Sequence, residues 1–247
     1  MSPEYVYGIH AVTALLRNDP QRVQRLLVQA DRKDARIEAV LALAREAGIP
    51  SESCPHKHLD RLTHNGIHQG LVAVTAAAEL GSEAELELRW PTLAEPVLLL
   101  ALDGVMDPRN LGACLRNADA AGVSAVLLPK RRSAPLSEVA RKAASGAAET
   151  LFIVMVTNLV RRLEWLKAQG VWVVGAAGGT ELRWTAADLR RPTVLVLGGE
   201  GKGLRELTRK TCDQLVSIPM QGHVPSLNVS VATGVLLFEA LRQRAAP

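Results

Sequence analysis

The chain has 247 residues, of which 48% are hydrophobic and 22% are charged, a balance that is sufficient to bury a folded core. The formal net charge is only +4, the longest apolar runs are far shorter than the roughly 18 residues of a membrane span, and the N-terminus lacks the features of a secretory signal. Because the three cysteines form no CxxC pair, we expect a reduced, cytoplasmic protein with neither a disulfide framework nor a metal site.

Residues 1–76 alternate helical and strand patterns, which predict a small α/β sandwich. Helical periodicity covers residues 10–17 and 35–47, and Gly48 fits a C-cap after the second helix. Strand patterns cover residues 23–29 and 70–76. We expect the five histidines of this region to be surface or structural residues. They are His10, His56, His58, His64 and His68.

Residues 77–95 are rich in small and acidic residues, and prolines bracket the end of the segment, so a linker is predicted there.

The charged residues on the two sides of this segment are unevenly distributed. Residues 1–76 hold 9 basic and 8 acidic residues, whereas residues 95–247 hold 19 and 13. A basic C-terminal part is typical of a polyanion partner, although a solvated surface explains the same composition.

From residue 96 onward, short apolar runs alternate with helical stretches. The runs cover residues 97–102, 125–128, 152–156, 171–175, 194–197 and 215–218. Continuous apolar strands separated by helices predict a mainly parallel sheet that is covered on both faces. Ligands bind at the carboxyl ends of such strands, so the loops that follow the runs are the candidate sites.

The loop after the first run contains Asn110 and Arg116, which lie within reach of a common region near the start of a helix that Pro108 can open. An asparagine offers both a donor and an acceptor, and an arginine offers a planar fork that suits phosphate. A capped helix with a surface arginine would give the same pattern.

The loop after the run 194–197 is a second candidate. It places Glu200 among four glycines, which let the backbone approach a ligand closely. Leu204 and Glu206 break the dinucleotide pattern, and Gly203 stands where a P-loop needs serine or threonine, so neither of those phosphate sites is indicated. A tight turn without a ligand is the alternative.

The third candidate precedes the last helix, where polar and apolar residues alternate within a short stretch. Ser226, Asn228 or Ser230 could each be the N-cap of that helix, but one cap does not explain all three.

Three sequence motifs carry a resemblance to a known family. They are DPRNLGACLRNADAAG at residues 107–122, LGGEGKG at 197–203 and IPMQGHVPSLNVSVA at 218–232. In this order they resemble the motifs of the SpoU (TrmH) RNA 2'-O-ribose methyltransferases of the SPOUT superfamily. Three further segments resemble sequences of the branch that methylates a guanosine ribose in the peptidyl-transferase loop of 23S rRNA. They are YGIHAV at 7–12, HQG at 68–70 and RKAASGAAE at 141–149.

The resemblance implies a trefoil-knotted, parallel-sheet methyltransferase domain over residues 96–247, preceded by a ribosomal-protein-like RNA-binding domain over 1–76. It implies S-adenosyl-L-methionine as cofactor, 23S rRNA as substrate and a homodimer, with no membrane association. The cofactor-binding residues would be Gly175, Gly198, Gly199, Gly203, Ile218, Met220 and Leu227. The catalytic residues would be Asn110, Arg116, Glu200, Ser226 and Asn228. A tRNA 2'-O-methyltransferase of the same superfamily and a non-catalytic RNA-binding ribosome-assembly factor are the alternatives.

Overall fold

The computed structural model describes residues 4–30, 32, 34–76 and 80–245. Its strands are β1 (Glu4–Tyr7), β2 (Val23–Gln29), β3 (Ser51–Cys54), β4 (Leu71–Thr75), β5 (Leu98–Asp103), β6 (Ala125–Pro129), β7 (Ile153–Val156), β8 (Trp172–Ala176), β9 (Thr193–Gly198) and β10 (Gln214–Val216). Its helices are α1 (Ile9–Asn18), α2 (Ala35–Glu46), α3 (His56–Leu62), α4 (Glu83–Arg89), α5 (Pro108–Ala120), α6 (Glu138–Ala144), α7 (Ala147–Thr150), α8 (Leu159–Ala168), α9 (Glu206–Thr211) and α10 (Val229–Ala245). Within the described ranges, no helix is both long and apolar enough to cross a bilayer.

The first of two compact units comprises Met1–Glu79 together with Ser145–Thr150. Its four-stranded sheet has the order β1-β4-β2-β3, in which β4 is antiparallel to both neighbours and β2 is parallel to β3. The main core of the unit packs α1 and α2 against the sheet through residues such as Val12 and Ile37, and a smaller cluster includes Leu59 of α3. The helical and strand patterns read from residues 10–17, 23–29, 35–47 and 70–76 are found as α1, β2, α2 and β4.

The second unit comprises Leu80–Ala144 and Leu151–Pro247 and contains the predicted parallel sheet. All six strands are parallel, in the order β10-β8-β9-β5-β6-β7. The apolar strands are buried, as Leu99, Val126 and Leu195 illustrate, each with 0% exposure. Each of the six apolar runs of the sequence is one strand of this sheet, so the predicted α/β architecture is confirmed.

The segment predicted as a linker is ordered wherever the structure describes it, and residues 80–95 belong to the second unit. Ser82 caps α4 in a capping box, and Leu86 of α4 is fully buried in the core beneath the sheet. The acidic residues that suggested a solvated linker include Glu83 and Glu87, which pair with Arg162 of α8. The linker prediction is corrected for this part, whereas residues 77–79 lie outside the described residues.

Candidate functional site

A cleft of about 400 Å³ lies at the carboxyl end of the second unit's sheet, where β8, β9 and β10 end. It is lined by Ala176, Ala177, Gly178, Leu197, Gly198, Gly199, Glu200, Gly201, Gly203, Val216, Ile218, Met220, Pro225, Ser226, Leu227, Asn228, Val229 and Ala232. This volume lies in the range of small-molecule sites, and the lining combines apolar side chains with polar side chains and bare glycine backbone.

The glycine loop, residues 198–203, forms one wall of the cleft, and its first two glycines are required by close packing. A Cβ on Gly198 would lie 2.0 Å from the carbonyl carbon of Gly203, and one on Gly199 would lie 2.0 Å from the carbonyl oxygen of Gly104. Gly201 and Gly203 have φ of 79° and 62°, which L residues rarely adopt. The loop therefore closes tightly on itself and leaves backbone, not side chains, facing much of the cleft.

An ion pair between an exposed arginine and a buried aspartate anchors the glycine loop to the sheet. The Asp103 carboxylate, at the end of β5, accepts hydrogen bonds from the Arg205 backbone N–H at 3.0 Å and from the Arg205 side-chain Nε at 2.5 Å. Asp103 is 1% exposed, so this pairing satisfies a carboxylate that would otherwise be costly to bury. Sequence reasoning missed both residues, although a lone aspartate that closes an apolar strand is a signal that could have found Asp103.

A chain of hydrogen bonds joins all three sequence motifs at the mouth of the cleft. The backbone N–H of Ser230 donates to Asn228 Oδ1 at 2.8 Å, Asn228 Nδ2 donates to Asn110 Oδ1 at 3.0 Å, and Asn110 Nδ2 donates to Glu200 Oε1 at 2.5 Å. A backbone N–H can only donate, so it fixes the orientation of both amides in turn. The chain ends on Glu200 as an acceptor, which requires an oxygen without a proton at that position.

The start of α10 forms the other side of this arrangement. Asn228 precedes the helix and is its N-cap, since its side chain accepts from the Ser230 N–H. Asn117 of α5 donates to the Ser230 carbonyl at 2.7 Å, and this side chain, too, was missed by sequence reasoning. Cys114 of α5 is buried against Thr233 of α10. Burial raises the pKa of the Cys114 thiol to about 11, so the thiol stays neutral.

Most of the predicted site residues meet at the cleft. Those among its lining are Gly198, Gly199, Glu200, Gly203, Ile218, Met220, Ser226, Leu227 and Asn228. Asn110 joins them through its hydrogen bonds to Glu200 and Asn228.

Two predicted residues lie elsewhere. Gly175 does not line the cleft, whose lining begins with the next residue, Ala176. A Cβ on Gly175 would clash with Cys212 and Leu204, so the glycine is required by packing behind the cleft lining. Arg116 is exposed on α5, six residues beyond Asn110, and is not one of the described lining residues.

Comparison with known proteins matches two family models to the chain. Residues 97–238 match the model of the SpoU rRNA Methylase family, and residues 5–81 match a model described as RNA 2'-O ribose methyltransferase substrate binding. The chain is 52% identical over 241 residues to a protein of Pseudomonas aeruginosa, and 51% identical over 243 residues to one of Pseudomonas syringae pv. tomato. Both relatives are named 23S rRNA (guanosine-2'-O-)-methyltransferase RlmB, and each alignment covers 98% of this chain and 97% of the relative.

Among solved structures, the AdoMet-bound rRNA methyltransferase of Sinorhizobium meliloti superimposes with a TM-score of 0.78 at 28% identity. The match covers 99% of this chain and 88% of that one.

Proposed function

The chain belongs to the SpoU rRNA methylase family, and we propose that it transfers a methyl group from S-adenosylmethionine to the ribose 2'-hydroxyl of a guanosine in 23S rRNA. The observation that carries the proposal is the hydrogen-bond chain from Ser230 to Glu200, which brings the three family motifs together beside the cleft. The two Pseudomonas relatives, which bear the name of that activity, support the choice of substrate.

The cleft suits S-adenosylmethionine in size and chemistry. Bare backbone of the glycine loop on one side and the apolar side chains of Ile218, Met220 and Leu227 on the other would hold a flat heterocycle and its ribose. When bound, this cofactor supplies an electrophilic methyl group on a sulfonium. The Sinorhizobium meliloti protein, similar over nearly the whole chain, was crystallised with AdoMet bound.

The chain's own residues must position the ribose hydroxyl and manage its charge. Asn110 and Asn228 fix Glu200 at the edge of the cleft, where its carboxylate can accept a hydrogen bond from a ribose hydroxyl. Ser226, which lines the same cleft, offers a further hydroxyl to the substrate. Alignment of the reacting atoms alone can contribute several kcal/mol, of the order of 7 at good geometry.

Arg116 completes the proposed machinery. Arginine is a poor general base, so we assign Arg116 to holding the target phosphate and stabilising the oxyanion that develops on the ribose. Because Arg116 is exposed on α5 and lies outside the cleft lining, we propose that it serves the cleft of a second copy of the chain.

This assignment requires a homodimer, and α10 offers apolar surface for one. Val231 and Phe238 are 51% and 49% exposed and, seven residues apart, lie on one face of that helix. We also propose the trefoil knot of the superfamily: β10 lies at the edge of the sheet, whereas the next element, α10, packs on α5 and β9 nearer its centre. An enzyme with this rRNA substrate would work in the cytoplasm.

The proposal is tested by incubating the protein with S-adenosylmethionine and either 23S rRNA that lacks ribose methylation or tRNA that lacks it, and then mapping 2'-O-methyl groups. We expect one guanosine to be modified. Modification of tRNA alone would favour the tRNA enzyme, and cofactor binding without any transfer would contradict the proposal. A protein that binds rRNA but no S-adenosylmethionine in calorimetry would be the non-catalytic assembly factor.

The variant Arg116→Ala tests the role of the arginine. We expect methyl transfer to be abolished while the dissociation constant for S-adenosylmethionine, measured by calorimetry, stays within about twofold of that of the unmodified protein, because Arg116 lies outside the cleft. Loss of cofactor binding would show that the arginine belongs to the cofactor site instead.

A further inference from the structure

A single loop of the first unit, residues 63–70, holds an unusual concentration of backbone strain. His64, Asn65 and Gln69 have φ of 48°, 58° and 54°. Non-glycine residues in this backbone region are strained, persist only where the surroundings enforce them, and cluster at functional sites. Contacts with the rest of the first unit must therefore hold the 63–70 loop in this conformation.

Its buried residues supply that support. His68, which is 4% exposed, accepts a hydrogen bond at Nδ1 from the Gly70 N–H at 3.0 Å, so its Nε2 carries the proton and donates to Asp60 at 3.2 Å. The side-chain oxygen of Gln69 accepts from the Ile9 N–H at 3.0 Å. The loop is thus tied to α3 and to the start of α1.

The same hydrogen bonds explain a cluster that resembles a metal site. Ligand atoms of His56, Asp60 and His68 lie within 4.8 Å of one another. However, the His68 nitrogen that faces the cluster is the one that carries the proton, and His56 Nδ1 lies 2.8 Å from the same carboxylate. Although burial raises the pKa of Asp60, these hydrogen bonds outweigh it and the net pKa is lowered. We therefore infer that His56, Asp60 and His68 stabilise the conformation of the loop and do not bind a metal.

The braced loop exposes side chains that the fold does not bury. Ile67 is 74% exposed, and His64 and Asn65 are exposed beside it. A rigid loop loses little conformational entropy when it binds a partner, which favours tight and selective contact. An exposed branched side chain next to an amide matches what an unpaired nucleotide offers, namely an apolar face and a hydrogen-bonding edge.

The charges around the loop favour a polyanion. Arg32 packs over Gly70, and Arg61 is exposed two residues before the loop begins. Of the two described carboxylates nearby, Asp34 is paired with Arg32 and Arg36, and Asp60 is held by two histidines. The named side chains sum to only +1, three arginines against two aspartates, so the case for a polyanion is that both carboxylates already have partners within the fold while Arg61 is exposed to solvent, where a phosphate can reach it.

We propose that the 63–70 loop is the surface by which the first unit contacts RNA. Ile67 packs on an unpaired base, Asn65 hydrogen-bonds a base edge, and Arg32 and Arg61 contact phosphates. This assignment rests on the proposed function and names the part of the chain that recognises its substrate.

The test compares the full-length protein with the double variant Ile67→Ala, Asn65→Gly. Glycine is chosen at position 65 because it keeps the left-handed backbone without strain. We expect the dissociation constant for a fragment of 23S rRNA that spans the modified guanosine to rise at least about tenfold, since the double variant removes both proposed contacts to the base. The dissociation constant for S-adenosylmethionine and the rate at saturating RNA should stay within about twofold.

Two further variants sharpen the result. Leu88→Ala truncates another large apolar side chain, 80% exposed on α4, and should leave RNA binding unchanged. Arg61→Ala should weaken RNA binding and reduce the slope of log affinity against log salt by about 1, as expected for one lost phosphate contact.

The outcomes separate the two proposals. RNA affinity within twofold of the unmodified protein in the double variant would overturn the loop assignment while leaving methyl transfer intact. Unchanged RNA affinity together with loss of a protein that co-purifies with the unmodified chain would assign the loop to a protein partner instead. If the unmodified protein transfers no methyl group, yet the double variant still loses RNA binding, the proposed function fails and the loop assignment stands.

Discussion

Asn228 shows why polar and apolar residues crowd together before the last helix. Its side chain caps α10 and also donates to Asn110, so one residue ends a loop and extends a hydrogen-bond chain to Glu200. The residue types of the site were predictable because their chemistry is visible in the sequence. The anchor formed by Asp103 and Arg205 was not, because the two residues are separated by 102 positions and only the fold brings them together.

At this scale the clearest prediction concerns Gly198. The substitution Gly198→Ala would place a methyl group 2.0 Å from a backbone carbon of the glycine loop, which must then shift away from the sheet. We expect S-adenosylmethionine affinity, measured by calorimetry, to fall at least about tenfold, and stability to fall by about 1–3 kcal/mol.

A matched glycine makes this prediction specific. Gly222 has nothing within 4 Å of the position that a Cβ would occupy, so Gly222→Ala should change neither cofactor affinity nor stability appreciably. Equal losses in both variants would mean that the packing of the glycine loop does not shape the cofactor site.

Among the elements, α4 is where local composition was most misleading. Three glutamates and an alanine within seven residues look like a solvated segment, yet the helix buries Leu86 and aims two carboxylates at Arg162 of α8. The strands were predictable from their apolar runs because burial on both faces removes polar residues from them. The role of α4 depends on a partner some 75 residues away, which no local pattern reports.

The ion pair of α4 gives a prediction with a defined pH dependence. Burial raises the pKa of Glu83, but hydrogen bonds from the Thr157 N–H and Arg162 outweigh it, and the net pKa lies below the usual 4.5. The stabilisation is therefore present above pH 4.5 and is lost as the pH falls through the lowered value. We expect Glu83→Gln to reduce the free energy of unfolding in urea by about 2 kcal/mol at pH 7, and the difference to shrink as the pH is lowered below 4.5.

Glu87 serves as the comparison for this prediction. It contacts the same Arg162, but its side chain is 48% exposed, so Glu87→Gln should cost less than about 1 kcal/mol. A difference between Glu83→Gln and the unmodified protein that is independent of pH would show that lost packing, and not the ion pair, accounts for the effect.

At the scale of the whole molecule, the chain does not divide where its composition changes. Residues 145–150 lie far along the sequence but belong to the first unit, where Glu149 pairs with Arg22. The sequence could not predict this, because a buried ion pair across 127 positions leaves no periodic signal. The proposed completion of the site by a second chain leaves no local pattern in the sequence either, and the proposal rests on the exposed position of Arg116 outside the cleft.

Complementation between two inactive variants tests whether the site is shared between subunits. Co-expressed Arg116→Ala and Glu200→Gln chains would form mixed dimers by the two-fold symmetry of a homodimer. If Arg116 serves the partner's cleft, each mixed dimer has one site with both residues intact and one site with neither. Random assembly then restores about a quarter of the activity of the unmodified protein.

The same mixture gives a different result if each chain builds its own site, because every site then lacks one of the two residues and no activity returns. Methyl transfer to rRNA is the readout, light scattering confirms the dimer, and each variant expressed alone provides the inactive baseline. A monomer at all concentrations would end the shared-site proposal, as would an inactive mixture in which mass spectrometry of differently tagged chains detects mixed dimers. Activity near one quarter would place Arg116 opposite Glu200 across the subunit interface.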